Sequence, residues 1–463
     1  MMQQINLHSK YSQVMMILLI CLVISCVWYL VPHPLVIMVF GILPIAILAA
    51  TQLPIYMVLG FVIFSFFRIH EVFPPLYPLK IPLLFSFASL ATLAWHIIFT
   101  GKVQPYWRKE HLGITLFFFL VIVGVPLATN RAIAIDYFKN MYWKIAFMTF
   151  AITWLTRESK DFILASGLIT LSGLVVGIKA ISNKLQGIDC VEGTRVTIGR
   201  ALDSVLSDPN DLALVLMFPT SFAVGLALTA GVNKGLKWIG MIGMPVLFYS
   251  IIATQSRGGL LGMLAVMGFF GYRRIENKVL FLSGGFIAAS VLYLAMGISD
   301  RASGGAAEEG VDASAMGRIH AWEAAIKMAT HNPLTGVGLD NFYANYYYYT
   351  PVWDGLSHAV HSTWFGVLAE TGFLGLGVFI YVLVLLIKSA HKSLTIIERN
   401  LDTVPAAIHA TSQSLLAGML GTITAGTFLT QGFTWPIYIL AALIIAMSHW
   451  VYGHCEQHTL EDR

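Results

Sequence analysis

The sequence predicts an all-α integral membrane protein of about 12 to 14 transmembrane helices, with two long periplasmic loops containing short helices. Three observations predict it. Of 463 residues, 57% are hydrophobic and only 11% are charged, where a soluble domain has roughly a quarter charged. Apolar runs recur near the roughly 20 residues needed to cross a hydrocarbon core. No stretch shows the short alternation of barrel strands, so each span has to be a helix.

The apolar runs begin near Val14, Pro34, Ile55, Ile81, Ile114, Met141, Phe162, Asp211, Leu236, Gly258, Val279, His361, Ser414 and Ile437. Only Thr51–Pro54 interrupts Pro34 to Phe67, which reads as two spans or a re-entrant pair. The first run follows Lys10 and faintly resembles a lipoprotein box at Val23-Ile24-Ser25-Cys26, yet no small-residue cleavage site comes after it, so it reads as an uncleaved span. With fourteen spans, the loops carrying Lys102/Arg108/Lys109, Arg157/Lys160, Lys234/Lys237, Arg273/Arg274/Lys278 and Lys388/Lys392/Arg399 fall on one side. The positive-inside rule makes that side the cytoplasm, with both termini in it.

The chain divides into five regions: N-terminal transmembrane helices over 1–180, a first periplasmic loop over 181–210, central transmembrane helices over 211–298, a large periplasmic loop over 299–360, and C-terminal helices with a cytoplasmic tail over 361–463. In the large loop, Ser303 to Gly317 is rich in Gly, Ala and acid and reads as a mobile connector. Ile319, Trp322, Ile326 and Ala329 then recur at helical spacing up to Pro333, the pattern of an amphipathic helix on the outer membrane surface.

Several function classes drop out. A net charge of +4 without a basic tail does not suit nucleic acid. Cys21 and Cys26 lie in the first span, Cys455 in the tail and Cys190 alone in a loop, so there is no disulfide or zinc framework. No acidic cluster at metal spacing faces the outer loops, and neither a divalent ion nor another cofactor is expected. Apart from Glu370 the spans hold almost no charge, unlike a proton-coupled transporter.

The candidate site residues are cations on the outer side, against the usual bias: Arg195 and Arg200 in the first loop, Arg257, and Arg318 in the second loop. Balancing outer acids or snorkelling to lipid phosphates is the ordinary reading of such arginines. Arg257 is different, because it stands between two apolar spans in Thr254-Gln255-Ser256-Arg257-Gly258-Gly259, where a guanidinium is costly unless paired or functional. Three spans place their N-termini outward, at Ser207-Asp208-Pro209-Asn210-Asp211, Ser256-Arg257 and His361-Ser362. Brought together, their free N–H groups and the arginines make a pocket for phosphate or pyrophosphate. His361 is one of 14 histidines. At a helix N-terminus near arginines its imidazolium form is disfavoured, leaving a neutral ring able to act as a general base. Tyr343, Tyr346, Tyr347, Tyr348, Tyr349, Trp353 and His358 read either as an interfacial belt or as a stacking platform for sugar rings. Glu370, inside the span that His361 opens, orients a partner such as an arginine or bonds between helices.

At this point the residues resemble a family. Gly317-Arg318-Ile319-His320-Ala321-Trp322-Glu323, then Asn332-Pro333-Leu334-Thr335-Gly336-Val337-Gly338-Leu339-Asp340-Asn341-Phe342, then His361-Ser362-Thr363-Trp364-Phe365-Gly366-Val367-Leu368-Ala369-Glu370-Thr371-Gly372 resemble the O-antigen ligase and polymerase superfamily. Ser256-Arg257-Gly258 and Asp208-Pro209-Asn210-Asp211-Leu212-Ala213 match two upstream motifs, and the likeness covers about Arg195 to Lys388. Ser362 stands where the family commonly has Asn, and the His-Ser pair looks more like the O-glycosylation ligases associated with exosortase systems.

The resemblance implies a GT-C-like, metal-independent glycosyltransferase needing no cofactor, set in a bacterial inner membrane. Its donor would be an undecaprenyl-pyrophosphate-linked glycan, and its acceptor a hydroxyl of lipid A core, protein or another glycan, with membrane lipids around it. Arg257 and either Arg195 or Arg200 would bind the pyrophosphate, His361 would take the acceptor proton, and Arg318, Asn210, Tyr347 and Glu370 would line the substrate. A polymerase of lipid-linked repeat units shares that donor and site. A flippase would instead need a charged central cavity, whereas these residues gather at one face.

Overall fold

A computed structural model describes residues 51–202, 204–295 and 313–461, with five isolated positions before residue 51. The spans expected from Val14 and Pro34, and most of the expected connector from Ser303 to Gly317, lie outside the described residues. Residues 57–463 form one compact unit and 1–56 another, and every candidate site residue belongs to the larger.

The described chain is built of helices: α1 Pro54–Ser65, α2 Ile69–Val72, α3 Ile81–Ile98, α4 Lys109–Leu127, α5 Arg131–Tyr137, α6 Trp143–Leu155, α7 Ser159–Gln186, α8 Pro209–Leu228, α9 Lys234–Thr254, α10 Arg257–Arg274, α11 Lys278–Ala295, α12 Ala313–His331, α13 Phe342–Tyr349, α14 Thr363–Arg399, α15 Ala406–Gly426 and α16 Trp435–Glu461. Every apolar run expected from Ile55 onward is a helix. By length and composition α3, α4, α7, α8, α9, α14 and α16 are able to cross a membrane, and α1 and α11 are shorter apolar helices. The chain is a multi-pass, all-α membrane protein.

Helix ends obey local chemistry. Asp161 Oδ2 accepts the N–H groups of Arg157 and Glu158 to open α7, which closes on Gly187 at φ 67°. Asp208 caps α8, with Pro209 as its first residue. α8 is enclosed by α7, α9, α10 and α15 and buried along almost its whole length, whereas α3 leaves most of its surface open. Phe218 of α8 packs edge-on to Phe66 with ring centroids 5.0 Å apart.

Two long connections lie at one end of the bundle. In the first, β1 (Cys190–Val191) and β2 (Arg195–Val196) pair antiparallel with Val191 opposite Arg195. Asn183 Nδ2 donates to the Thr197 carbonyl at 2.9 Å and ties the hairpin to α7. In the second, α12 packs on α13 and α14. The buried face of α12 is Ala321, Ala324, Ala325, Met328 and Ala329, with Trp322 partly buried, while Ile319 and Ile326 are exposed. Of the expected stripe, Ala329 and part of Trp322 turn inward, while Ile319 and Ile326 stay on the surface. Close approach to α14 favours the small side chains, and two of the large apolar ones turn outward.

Candidate active site

Arg195 is aimed inward by its place in β2, opposite a turn that carries positive φ at Glu192 and Gly193. Its side chain is buried. Nε donates to the Thr254 carbonyl at 3.2 Å and Nη2 to Asn210 Oδ1 at 3.1 Å, while Nη1 lies 3.6 Å from Glu192 Oε1. Burial pulls the guanidinium's pKa down, and Glu192 and Asp208 push it back. Arginine stays charged against such a balance. Arg200 is exposed and donates to the Cys190 carbonyl at 3.0 Å. Of the two loop arginines, Arg195 is the one placed among the other candidates.

Asn210 joins two helix starts. Its Oδ1 accepts from Arg195 and also from the Ser256 hydroxyl at 2.9 Å. α9 ends at Thr254, Gln255 turns the chain with φ 53°, and Ser256 caps α10 by accepting the Gly259 N–H at 3.3 Å. Arg257 is then the first residue of α10, half-buried at the junction. Thr194 Oγ1 donates to Gln255 Oε1 at 2.9 Å, so the hairpin is fastened to the same turn.

The start of α14 lies beside it. The Thr363 hydroxyl donates to the Leu429 carbonyl at 2.7 Å, and Leu429 also packs over Gly258 in the first turn of α10. His361 precedes the Ser362 cap with φ 43°, a left-handed conformation rare for a side chain with a Cβ. Burial holds its pKa below 6.5, with the positive field of Arg318 next in weight; Asp208 opposes them, and Arg195 adds a smaller downward pull. His361, Arg318, Arg195 and Asp208 thus share one electrostatic neighbourhood.

The three helix N-termini are not equivalent. Asp208 Oδ1 accepts the N–H groups of Asn210 and Asp211 at 2.7 and 3.2 Å, and Ser256 caps α10. Ser362 makes no side-chain cap bond, and its buried Oγ has no hydrogen-bond partner among the described residues. Of the three, α14 is left without a side-chain cap.

Glu370 takes a different part from pairing an arginine. α14 is broken at Gly372, whose φ 70° and ψ −171° open the helical bond from Phe373 N–H to the Ala369 carbonyl. The segment after α12 satisfies both freed groups: Val337 N–H donates to Ala369 O at 2.8 Å, and Phe373 N–H donates to Pro333 O at 2.8 Å. Glu370 Oε2 accepts the Asp340 N–H at 2.9 Å and completes the dock. Thr129 N–H donates to Val337 O at 3.0 Å, and Asn341 Oδ1 accepts the Asn130 N–H at 2.9 Å. The Pro333–Asn341 stretch therefore clamps the break of α14 to the end of α4, and so steadies the helix that His361 begins.

The aromatic cluster divides. Tyr346 is buried, 5.6 Å from the His358 ring, while Tyr347 is exposed and stands edge-on to Trp353 at 4.8 Å. Trp322 of α12 donates from Nε1 to the Val360 carbonyl at 3.0 Å and stacks on Phe365, fixing the approach to His361. Sequence reading missed the clamp by Thr129, Asn130 and Asn341, and the bond from the Ser204 hydroxyl to Glu71 that anchors the first loop. These partners are far apart in the chain, and no local pattern announces them.

Residues 242–380 match a family model described as O-antigen ligase, a stretch that includes Arg257, Arg318, His361 and Glu370. The chain is also similar to the exopolysaccharide production protein ExoQ of Rhizobium meliloti (strain 1021), with 27% identity over 330 residues that cover 64% of this chain and 71% of that protein.

Proposed function

We propose that this chain, which is similar to O-antigen ligases over residues 242–380 and to the ExoQ protein, transfers a glycan from undecaprenyl pyrophosphate to an acceptor hydroxyl at the periplasmic face of the inner membrane. A membrane protein of ligase or polymerase type is what the family and the helices give; donor, acceptor, face and residue roles are the proposal. One observation carries it. Arg195 and Ser256 meet on Asn210 in the first turn of α8, which joins them to the start of α10 at Arg257, with His361 in the field of Arg318 and Arg195.

In this reading the acceptor oxygen attacks the anomeric carbon and gives its proton to neutral His361. The sugar–phosphate bond breaks with its electron pair going to the pyrophosphate. Arg195 and Arg257 neutralise the charge that grows there, and the first N–H groups of α14 add donors. Arg318 lies near the acceptor side, and Tyr347 offers a face for a sugar ring. Charge neutralisation by guanidinium groups is why the step is proposed to need no metal. Among the described residues no group of three or more His, Cys, Asp and Glu side chains is gathered to hold one. The regions 181–210 and 299–360 would form the acceptor cleft above the transmembrane regions 1–180, 211–298 and 361–463.

The name of the ExoQ relative favours a second reading, in which the acceptor is the next repeat unit and the product an exopolysaccharide. One experiment tests both. Purified protein is incubated in detergent and EDTA with undecaprenyl-pyrophosphate-linked glycan and with lipid A core, peptide or glycan acceptors, beside His361→Ala. Transfer by the wild type alone supports the ligase and names its acceptor, and ladders on the lipid carrier point to the polymerase. Loss of all turnover in EDTA, or an unimpaired His361→Ala, overturns the proposed mechanism.

A further inference from the structure

The end of the bundle that carries His361 has a second cationic recess that the proposed transfer does not use. A cavity of about 530 Å³ opens between α1, α3, α6 and the start of α16, with Arg68, Lys80, Lys144 and Asn140 on its polar side. Lys80 precedes α3, Lys144 lies in the first turn of α6, and Trp435 begins α16. The connection into α16 is bonded to the start of α14 through Gln431 N–H and Thr363 Oγ1 at 2.9 Å, which places the recess at the site end.

Its charge is not balanced internally. Arg68 forms a two-point pair with buried Glu71, Nε to Oε2 at 2.6 Å and Nη2 to Oε1, so those two charges cancel. Lys80 and Lys144 have no carboxylate within ion-pair distance among the described residues. Two ammonium groups therefore line a pocket that Phe64, Leu83 and Trp435 also line. Cations and apolar surface in one recess fit a molecule with a phosphate head and a hydrocarbon chain.

We propose that this recess is a binding site for an anionic lipid, with Lys80 and Lys144 on its phosphate and its chain along Phe64, Leu83 and Trp435. The site is separate from the arginines at Asn210. It still adjoins their loop, because Glu71 accepts the hydroxyl of Ser204. The phosphate has two sources, a bilayer glycerophospholipid or a polyprenyl phosphate, and the test keeps them apart.

Full-length protein in detergent is offered phosphatidylglycerol, polyprenyl monophosphate or phosphatidylcholine, and retained lipid is counted by native mass spectrometry. No transfer activity enters the readout. Wild type is expected to retain an anionic lipid over phosphatidylcholine, and whichever is retained more names the source. Lys80→Gln with Lys144→Gln should lower that retention at least about tenfold and leave phosphatidylcholine unchanged. Lys80→Gln alone, at an exposed position, and a salt titration of the wild type serve if the double variant does not fold; both should weaken anionic retention. Equal retention of anionic and zwitterionic lipid by wild type, or unchanged anionic retention in a monodisperse double variant, overturns the site.

Discussion

His361 is held in a left-handed backbone conformation at φ 43°, a strain of order 1–3 kcal/mol for a residue with a Cβ that persists only where the surroundings fix it. The surroundings are the Trp322 bond to Val360 and the turn into α14. Its burial, then Arg318, lower its pKa from 6.5, so the proton-accepting form is already dominant at neutral pH. Transfer that needs the neutral ring should rise with pH through a point below 6.5 and be flat above it. Arg318→Gln removes a positive neighbour, raises the His361 pKa and should move the acid limb to higher pH. A kcat profile in which that limb stays put, or moves to lower pH, would remove His361 as the titrating base. Arg195 makes a separate case: its fork bonds two acceptors on different elements, Thr254 O and Asn210 Oδ1. Lysine, with one compact ammonium, is unable to copy that geometry, so Arg195→Lys should lose roughly tenfold or more in kcat/KM while the protein still elutes as a single species. Activity within twofold of wild type would show that charge alone suffices, against about the 1.4 kcal/mol a tenfold loss represents.

At the scale of elements, the break in α14 is as much a part of the site as the side chains. Gly372 lies in a region of φ and ψ essentially restricted to glycine, and a Cβ there would meet Pro333 O at 2.5 Å. Gly372→Ala should therefore cost roughly 1–3 kcal/mol from backbone strain, with the contact added, and lower both the unfolding midpoint and transfer. Gly355 is the control: its φ is also positive at 92°, yet nothing lies within 4 Å of a Cβ built there. Gly355→Ala should lower the midpoint by less, and equal losses would show that the clamp carries no special weight. The helices themselves are legible in the sequence, because twelve apolar runs with caps such as Asp208 and Ser256 encode them locally. Helix polarity puts Asn210, Arg257 and His361 at helix starts, but their approach to one another and the choice of Arg195 over Arg200 rest on tertiary bonds such as those to Asn210. The clamp is not legible, since Thr129 and Val337 are 208 residues apart. Nor is the buried face of α12, where the closeness of α14 selects alanines over isoleucines, a tertiary demand that periodicity does not carry.

At the scale of the larger unit, the candidate site and a group of basic residues lie at opposite ends of α14. Beyond its break at Gly372, α14 continues to Arg399, roughly 40 Å at about 1.5 Å per residue, against a hydrocarbon core of about 30 Å. Its start carries His361, and beyond its midpoint come Lys388, Lys392 and Arg399, so one helix measures the distance from chemistry to the basic end. The basic end belongs in the cytoplasm if the positive-inside rule holds here. That orientation has a direct test in two exposed positions, Tyr348 in α13 and Leu401 in the connection after α14, which are 76% and 50% exposed. With Cys21, Cys26, Cys190 and Cys455 replaced by Ser, Tyr348→Cys should react with an impermeant maleimide in cells whose outer membrane alone is opened. Leu401→Cys should react only after the inner membrane is lysed. The reverse pattern would place the arginines and His361 in the cytoplasm, where a flipped, lipid-linked glycan is out of reach, and the transfer mechanism would fall with it whatever the chemistry of the individual residues.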